Sequence, residues 1–193
     1  MGAIERVERL TLEEFSRLYE QGGPFEFIDS ARRALTPPVA LHGLMIRALF
    51  RLLDAFCTAR ALGEVITRMP FVQVYDANWV KGTLVPDVMF FAANHWQQYI
   101  KATADWKGNP FVLIPDLAVE VVSPNDLYTD IQDKVARSTG VGVRLIWVVD
   151  PQRSRVTAYE GEHYGVLGQD DTLTGGEVIP GLAINLRDMF KLA

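Results

Sequence analysis

Apolar residues recur at helical spacing in several stretches of the chain. In the longest, residues 41–61, leucines and Phe56 repeat at steps of three and four residues, with Gly63 as a stop signal. A helix is also expected from Thr11 to Glu20, because Thr11 and Glu14 have the spacing of a capping box. Further helices are predicted at residues 95–104, 127–138 and 186–190, the second capped by the turn at residues 123–126.

Other stretches are short, apolar and rich in β-branched or aromatic residues, as strands are. Residues 117–122 and 143–150 are nearly continuous apolar runs, which are typical of strands buried on both faces. Further strands are predicted at residues 25–29, at 64–76 with an interruption at Pro70, at 84–91, in a hairpin of 153–160 and 164–167, and at 177–179.

The order of these elements predicts a mixed α/β fold, with a central sheet flanked by helices. The strand at 117–122, the helix after it and the strand at 143–150 form a βαβ unit, so we expect those two strands to be parallel. We expect a single domain over residues 1–193, in which residues 1–24 form an N-terminal helical extension.

Composition places the chain among ordinary globular proteins. Of its 193 residues, 49% are apolar and 22% are charged, which is enough apolar sequence to form a core without disulfides. The net charge of −5 argues against a protein that coats nucleic acid, although a local basic face is compatible with a nuclease.

Cys57 is the only cysteine, so neither an intrachain disulfide nor a zinc site built from cysteines can form. A single cysteine suits a reducing compartment. No apolar run has the length of a signal peptide or a membrane span. We therefore expect a cytoplasmic protein without a membrane partner.

Two acidic residues stand out because of their apolar surroundings. Asp87 lies in the predicted strand at 84–91, and Glu120 lies in the one at 117–122. Burying a carboxylate is unfavourable unless a cation, a basic side chain or hydrogen bonds compensate it. One such acid can simply point to solvent from a half-exposed strand. Two of them favour a functional site, and a divalent cation is one form of compensation.

Lys134 is a third candidate, on the helix that follows the strand of Glu120. Taken alone it is typical of a solvated lysine, and Asp130, four residues earlier, allows an ordinary ion pair along the helix.

Several blocks of the sequence together resemble a known family. The residues concerned are Pro86-Asp87, 116–124, Asp130 with Lys134, and 144–151, joined by 10–15, 26–29, Pro37-Pro38 with His42, 171–173 and 178–181. This combination resembles the Uma-type family of proposed restriction endonucleases, in the PD-(D/E)XK nuclease superfamily. It covers almost the whole chain and implies a restriction-endonuclease-like fold.

The resemblance implies that Asp87, Glu120 and Lys134 are the catalytic residues. Asp87 and Glu120, with the backbone carbonyl of Val121, would bind Mg²⁺ or Mn²⁺, which prefer oxygen ligands. The superfamily's lysine two positions after the second acid is replaced here by Val122, and Lys134 on the next helix would supply the ammonium instead.

Glu26 and His42 match recurrent residues of the family and are expected to be accessory residues around the site. The sequence departs from the family at Asp29-Ser30, where Asp-Gly is usual, in the basic segment that follows, and at Arg137-Ser138, where an aromatic residue is common. These departures affect the N-terminal edge of the site and leave the two acids and the lysine in place.

The function that the resemblance implies is metal-dependent hydrolysis of DNA phosphodiester bonds. Arg47 and Arg51 lie four residues apart on the predicted long helix and are candidates for phosphate contacts. A homodimer would suit cleavage of two strands. Two alternatives remain at this point: a catalytically silent, nucleic-acid-associated or regulatory module with the same fold, and a structural homo-oligomer whose strand acids are exposed.

Overall fold

The computed structural model describes residues 9–35, 37–75 and 79–192, so residues 1–8 of the expected N-terminal extension lie outside it. Its α-helices are α1 (Leu12–Gly22), α2 (Ala40–Ala59), α3 (Ala93–Ala102), α4 (Tyr128–Gly140) and α5 (Leu186–Lys191). Its strands are β1 (Phe25–Ile28), β2 (Ala31–Ala34), β3 (Gly63–Thr67), β4 (Phe71–Val74), β5 (Val80–Leu84), β6 (Val88–Ala92), β7 (Leu117–Val121), β8 (Leu145–Asp150), β9 (Arg155–Glu160), β10 (His163–Leu167), β11 (Thr172–Thr174) and β12 (Ala183–Asn185).

A six-stranded sheet with the order β10-β9-β8-β7-β6-β3 forms the centre of the fold. β7 and β8 pair in parallel, and the other neighbours in this sheet are antiparallel. α4 connects β7 to β8, so the predicted βαβ unit and its parallel pair are confirmed. The predicted fold class, a mixed α/β fold whose central sheet is flanked by helices, is confirmed as well.

Side-chain alternation along β7 divides the core between two helical layers. Val119 and Val121 pack with Leu49 and other residues of α2 on one face of the sheet. Ala118 packs with Ile131 and other residues of α4 on the opposite face. Glu120 follows Ala118 by two positions, so its side chain lies on the α4 face. The sheet therefore directs this acid towards the helix that carries Lys134.

The N-terminal segment adds a small layer beside the sheet. Thr11 and Glu14 form the predicted capping box at the start of α1, whose Phe15 packs against the β1–β2 hairpin. The backbone N–H of Phe27 in β1 donates to Thr83 in β5 at 2.8 Å. This contact ties the hairpin to the segment that leads into Asp87.

The predicted strand at 84–91 is wrong in one respect that affects the site. β5 ends at Leu84 and β6 begins at Val88, so Asp87 lies in the bend between two strands. Pro86 has no N–H to donate to a ladder, which explains the interruption. β4 and β5 form their own two-stranded sheet, and β6 belongs to the central one.

Other boundaries also differ from those predicted. The strand expected at 177–179 is a tight turn between β11 and β12, in which the N–H of Ile179 donates to the carbonyl of Gly175. The turn before α4 does not cap the helix, because the Asp126 carboxylate accepts from the N–H of Ser123. Among the described helices, none is long and apolar enough to cross a membrane.

Candidate active site

A pocket of about 250 Å³ opens where β7 ends and β6 begins. The side chains of Glu26, His42, Asp87 and Lys134 line it, together with Val121, and Glu120 lies buried beside them. These residues come from β1, α2, the bend before β6, α4 and β7. The structure thus brings together every residue that the sequence analysis placed in the catalytic and accessory sets.

Asp87 is held by hydrogen bonds to the end of β7. Its backbone N–H donates to the carbonyl of Val119 at 3.0 Å, and its Oδ2 accepts the N–H of Val121 at 2.8 Å. The carboxylate therefore continues the antiparallel ladder beyond the last backbone pair of β6 and β7. This arrangement places the acid next to Glu120, the residue that precedes Val121.

Glu120 and Lys134 form an ion pair at the floor of the pocket. Lys134 Nζ donates to Glu120 Oε2 at 2.9 Å, and the two side chains are 27% and 5% exposed. Burial raises the pKa of Glu120 well above its ordinary value, and the nearby Asp87 and Glu26 charges add to this effect against the opposing influence of Lys134. The alternative in which the strand acids point to solvent is therefore wrong for Glu120.

Burial and the neighbouring carboxylates act in opposite directions on the pKa of Lys134. Burial alone would lower the pKa of Lys134, but the carboxylate of Glu120, supported by Glu26 and Asp87, raises it above its ordinary value. Lys134 is therefore a permanent cation at neutral pH, held at the wall of the pocket by the second acid.

His42 supports Asp87 from the first turn of α2. Its Nε2 lies 3.2 Å from Asp87 Oδ2, and its Nδ1 is buried without a hydrogen-bond partner among the described residues. The hydrogen bond with Asp87 raises the pKa of His42, against the effect of burial. The contact falls on Oδ2, the same carboxylate oxygen that accepts the N–H of Val121, and adds a second restraint on the orientation of the carboxylate.

Glu26 is the third buried polar group of the site, after Glu120 and His42. Its Oε1 accepts the N–H of Val85 at 3.1 Å, in the segment just before Asp87. The side chain is almost fully buried, so this hydrogen bond partly compensates the loss of water around the carboxylate. The β1–β2 hairpin thereby adds a negative charge to the pocket that contains Asp87 and Glu120.

The donor set is suited to a hard cation that keeps several of its own waters. Among the described residues, no group of three or more His, Cys, Asp or Glu side chains is gathered closely enough to hold a metal ion. Mg²⁺ commonly binds through only one or two carboxylates, with water and substrate phosphate completing its shell. Asp87 and Glu120 fit that pattern.

Three arginines line the pocket: Arg33, Arg68 and Arg137. Arg33 belongs to the basic segment after Asp29-Ser30 and is a further candidate for a phosphate contact from the sequence, whereas Arg68 and Arg137 were not predicted as such. Arg68 adopts φ +52°, a left-handed conformation that is uncommon for a residue other than glycine, and its N–H donates to the carbonyl of Asp87. Nothing in the local sequence marks this conformation. Arg47 and Arg51, the predicted phosphate contacts, are exposed on α2 and do not line the pocket.

Comparison with known proteins bears on the family and the fold of this chain. The family model described as "Uma2: Putative restriction endonuclease" matches residues 12–187. A search of curated proteins returned no match. A solved structure from Anabaena variabilis, titled as a putative nuclease belonging to DUF820, superposes with a TM-score of 0.76 at 17% identity and covers 95% of this chain and 98% of its own.

The solved structure confirms the expected nuclease-like fold, and at this identity it bears on the fold alone. The family match extends over most of the sequence and includes each candidate site residue. It agrees with the resemblance carried by the Pro-Asp, Glu-Val-Val-Ser-Pro and Trp-Val-Val-Asp-Pro blocks. The chain therefore belongs to the Uma2 family of restriction-endonuclease-like proteins, which supports a nuclease function.

Proposed function

We propose that the protein is a metal-dependent endonuclease that hydrolyses DNA phosphodiester bonds in the pocket of Asp87, Glu120 and Lys134. The observation that carries this proposal is the pair of contacts joining these residues. Asp87 binds the N–H of the residue after Glu120, and Lys134 binds the carboxylate of Glu120. Two acids and one lysine from distant parts of the chain thus meet at one point.

Asp87, Glu120 and the backbone carbonyl of Val121 would hold Mg²⁺ or Mn²⁺. The hydrogen bonds to the two carboxylates from described residues fall on Oδ2 of Asp87 and Oε2 of Glu120, which leaves one oxygen of each acid for a cation. When bound, such a cation neutralises phosphate charge and lowers the pKa of water.

Lys134 would act directly on the reacting groups. The ammonium has three donors, and the contact with Glu120 needs one of them. The others can orient the attacking water and donate to a phosphate oxygen as negative charge develops. The backbone of Lys134 is part of α4, and its ammonium is held by the ion pair with Glu120.

Glu26 and His42 would act through their neighbours. His42 orients the Asp87 carboxylate, and Glu26 holds the backbone of Val85, two residues before it. Their proposed role is therefore to position Asp87, with no direct contact to substrate.

The basic residues around the pocket supply contacts for the substrate backbone. Arg68 and Arg33 are exposed at its rim, and Arg137 lies on α4 beside Lys134. Phosphate contacts of this kind make binding sensitive to salt. A homodimer with two such pockets would cleave both strands of a duplex, and this assembly and a cytoplasmic location stay predictions from the sequence.

The decisive experiment combines Mn²⁺ calorimetry with a cleavage assay on plasmid DNA, on single-stranded DNA and on RNA. It uses the wild type, Asp87→Asn, Glu120→Gln and, as a matched control, Glu64→Gln, whose exposed carboxylate on β3 lies outside the pocket. We expect saturable Mn²⁺ binding and metal-dependent DNA cleavage that the first two variants lose and the control retains.

Undiminished cleavage by Asp87→Asn and Glu120→Gln would overturn the assignment. Metal binding without cleavage of either nucleic acid would favour the catalytically silent module. Cleavage of RNA but not of DNA would support metal-dependent phosphodiester hydrolysis and change the proposed substrate to RNA.

A further inference from the structure

A second, larger groove adjoins the candidate active site. It encloses about 550 Å³ between the first two turns of α4 and the surface of β8, β9 and β10. Asp126 lines both this groove and the active-site pocket, so the two adjoin at the turn before α4. We call it the tyrosine groove, after Tyr128, Tyr159 and Tyr164 in its wall and floor.

The floor exists because α4 covers only part of its face of the sheet. Tyr159 pairs in register with Ile146 of β8, whose side chain packs under α4, and Tyr164 of β10 pairs with Tyr159. Residues directly opposite in an antiparallel pair lie on the same face. Tyr164 therefore extends the α4 face outward, where it is 71% exposed.

The tyrosines form an incomplete aromatic stack. The rings of Tyr159 and Tyr164 are stacked, with centroids 5.7 Å apart and an interplanar angle of 30°. Gln132 of α4 fixes the inner ring by donating to its hydroxyl at 3.3 Å. Tyr128, at the start of α4, is 78% exposed on the opposite wall. A flat ring entering the groove can thus stack on the exposed Tyr164, and Tyr128 lines the same groove.

The groove also contains a cation suited to a phosphate. Arg153 pairs with Asp150 at 2.9 Å, but Arg155 forms no ion pair with any described residue. It is exposed at the start of β9, on the floor that leads towards the active-site pocket. Aromatic platforms next to a cation are the usual means of binding single-stranded nucleic acid.

We propose that the tyrosine groove binds a short run of unpaired nucleotides of the strand whose phosphodiester lies in the active site. This inference rests on the proposed nuclease function and narrows its substrate class. Bases within an intact duplex are stacked on each other and cannot stack on Tyr164. The protein therefore prefers single-stranded, frayed or flapped DNA over a continuous duplex.

The test is fluorescence anisotropy of a labelled oligothymidine and of a labelled hairpin duplex, both in EDTA so that no cleavage occurs. Tyr164→Ala and Tyr128→Ala should each weaken binding of the single strand by roughly tenfold, the effect of losing one base–aromatic stack. Tyr164→Phe should bind like the wild type, because the ring remains. Tyr75→Ala is the matched control, since Tyr75 is exposed but lies outside the groove.

Unchanged oligothymidine binding by both alanine variants would overturn the proposal, and so would tighter binding of the duplex. The exposed edge of β10 could instead pair with a second copy of the chain. Sedimentation velocity detects that case: a dimer that Tyr164→Ala dissociates would assign the surface to self-association and overturn the nucleotide site.

The failures of this proposal and of the nuclease function are distinguishable. If cleavage depends on metal but oligothymidine binding does not depend on Tyr128 or Tyr164, the groove proposal is wrong and the nuclease proposal stands. Tyrosine-dependent binding without cleavage at any metal concentration would support the groove and remove the nuclease.

Discussion

Asp87 and Val121 are joined by a hydrogen bond in which a side chain replaces part of a β-ladder. The Asp87 carboxylate accepts the N–H of Val121 at 2.8 Å, at the point where backbone pairing between β6 and β7 has ended. The same bond places the acid beside Glu120. The same hydrogen bond therefore ends the pairing of β6 with β7 and positions the acid in the site. Different substitutions of Asp87 can separate its role in stability from its role as a charged group of the site.

Asp87→Asn and Asp87→Ala should differ in stability and agree in function. An amide oxygen can still accept the N–H of Val121, whereas alanine leaves a buried donor unpaired, which costs about 1–3 kcal/mol. Urea denaturation should therefore show a larger loss for Asp87→Ala. Both variants lose the negative charge and should lose Mn²⁺ binding. Equal stability of the two variants would show that water satisfies the N–H.

A double-mutant cycle should detect strong coupling between Glu120 and Lys134. Lys134→Met leaves the carboxylate of Glu120 buried without its partner, and we expect a loss of about 3 kcal/mol in the free energy of unfolding. Adding Glu120→Gln removes the buried charge and should recover part of that loss, which gives a coupling of about 1–3 kcal/mol.

The control for this cycle lies on the same helix. Arg137 and Asp133 form an ion pair at 3.6 Å with the aspartate well exposed, so Arg137→Met should change stability by no more than about 0.5 kcal/mol. Urea denaturation of all the variants provides the comparison. Additive effects of Lys134→Met and Glu120→Gln would mean that solvent, and not the lysine, stabilises the buried acid.

The sequence pattern identified the β7–α4–β8 unit because both strands are apolar over their whole length. It misplaced Asp87 inside a strand, because an apolar run does not reveal that chain pairing changes from β4 to β7 at Pro86. The strand predicted at 177–179 failed for a related reason. Val178 and Ile179 are buried as strand residues are, yet they lie in a turn.

The site was predictable to the extent that its residues carry a recognisable pattern. Glu120 and Lys134 were paired through the family resemblance, and the geometry of β7 and α4 explains why a lysine fourteen positions away can reach the acid. Arg68 and the tyrosine groove carry no such pattern. Their positions depend on a left-handed turn and on the part of the sheet that α4 leaves open, and neither is encoded within a short segment.

Two glycines should respond oppositely to alanine. Gly63 begins β3 at φ +151°, and a Cβ there would overlap the carbonyl oxygen of Phe91 in the neighbouring strand. Gly63→Ala should therefore destabilise the protein by about 3 kcal/mol or more. Gly43 lies in α2 with no neighbouring atom near its would-be Cβ, so Gly43→Ala should stabilise it by about 0.5–1 kcal/mol. Thermal unfolding of both variants tests the pair, and a stable Gly63→Ala would show that β3 can move away from β6.

Arg68 allows its backbone and its side chain to be tested separately. Its φ of +52° is unfavourable for any residue with a Cβ, so Arg68→Gly should be more stable than Arg68→Ala by about 1 kcal/mol.

Both variants lose the guanidinium at the rim of the pocket. If that group contacts a phosphate, both should bind DNA more weakly, and the dependence of log Kd on log salt concentration should fall by about one ion. Arg17→Ala, an exposed change on α1 away from the pocket, provides the control. An unchanged salt dependence in the two Arg68 variants would exclude a phosphate contact at Arg68 and leave Arg33 and Arg137 as the arginines of the pocket that can make one.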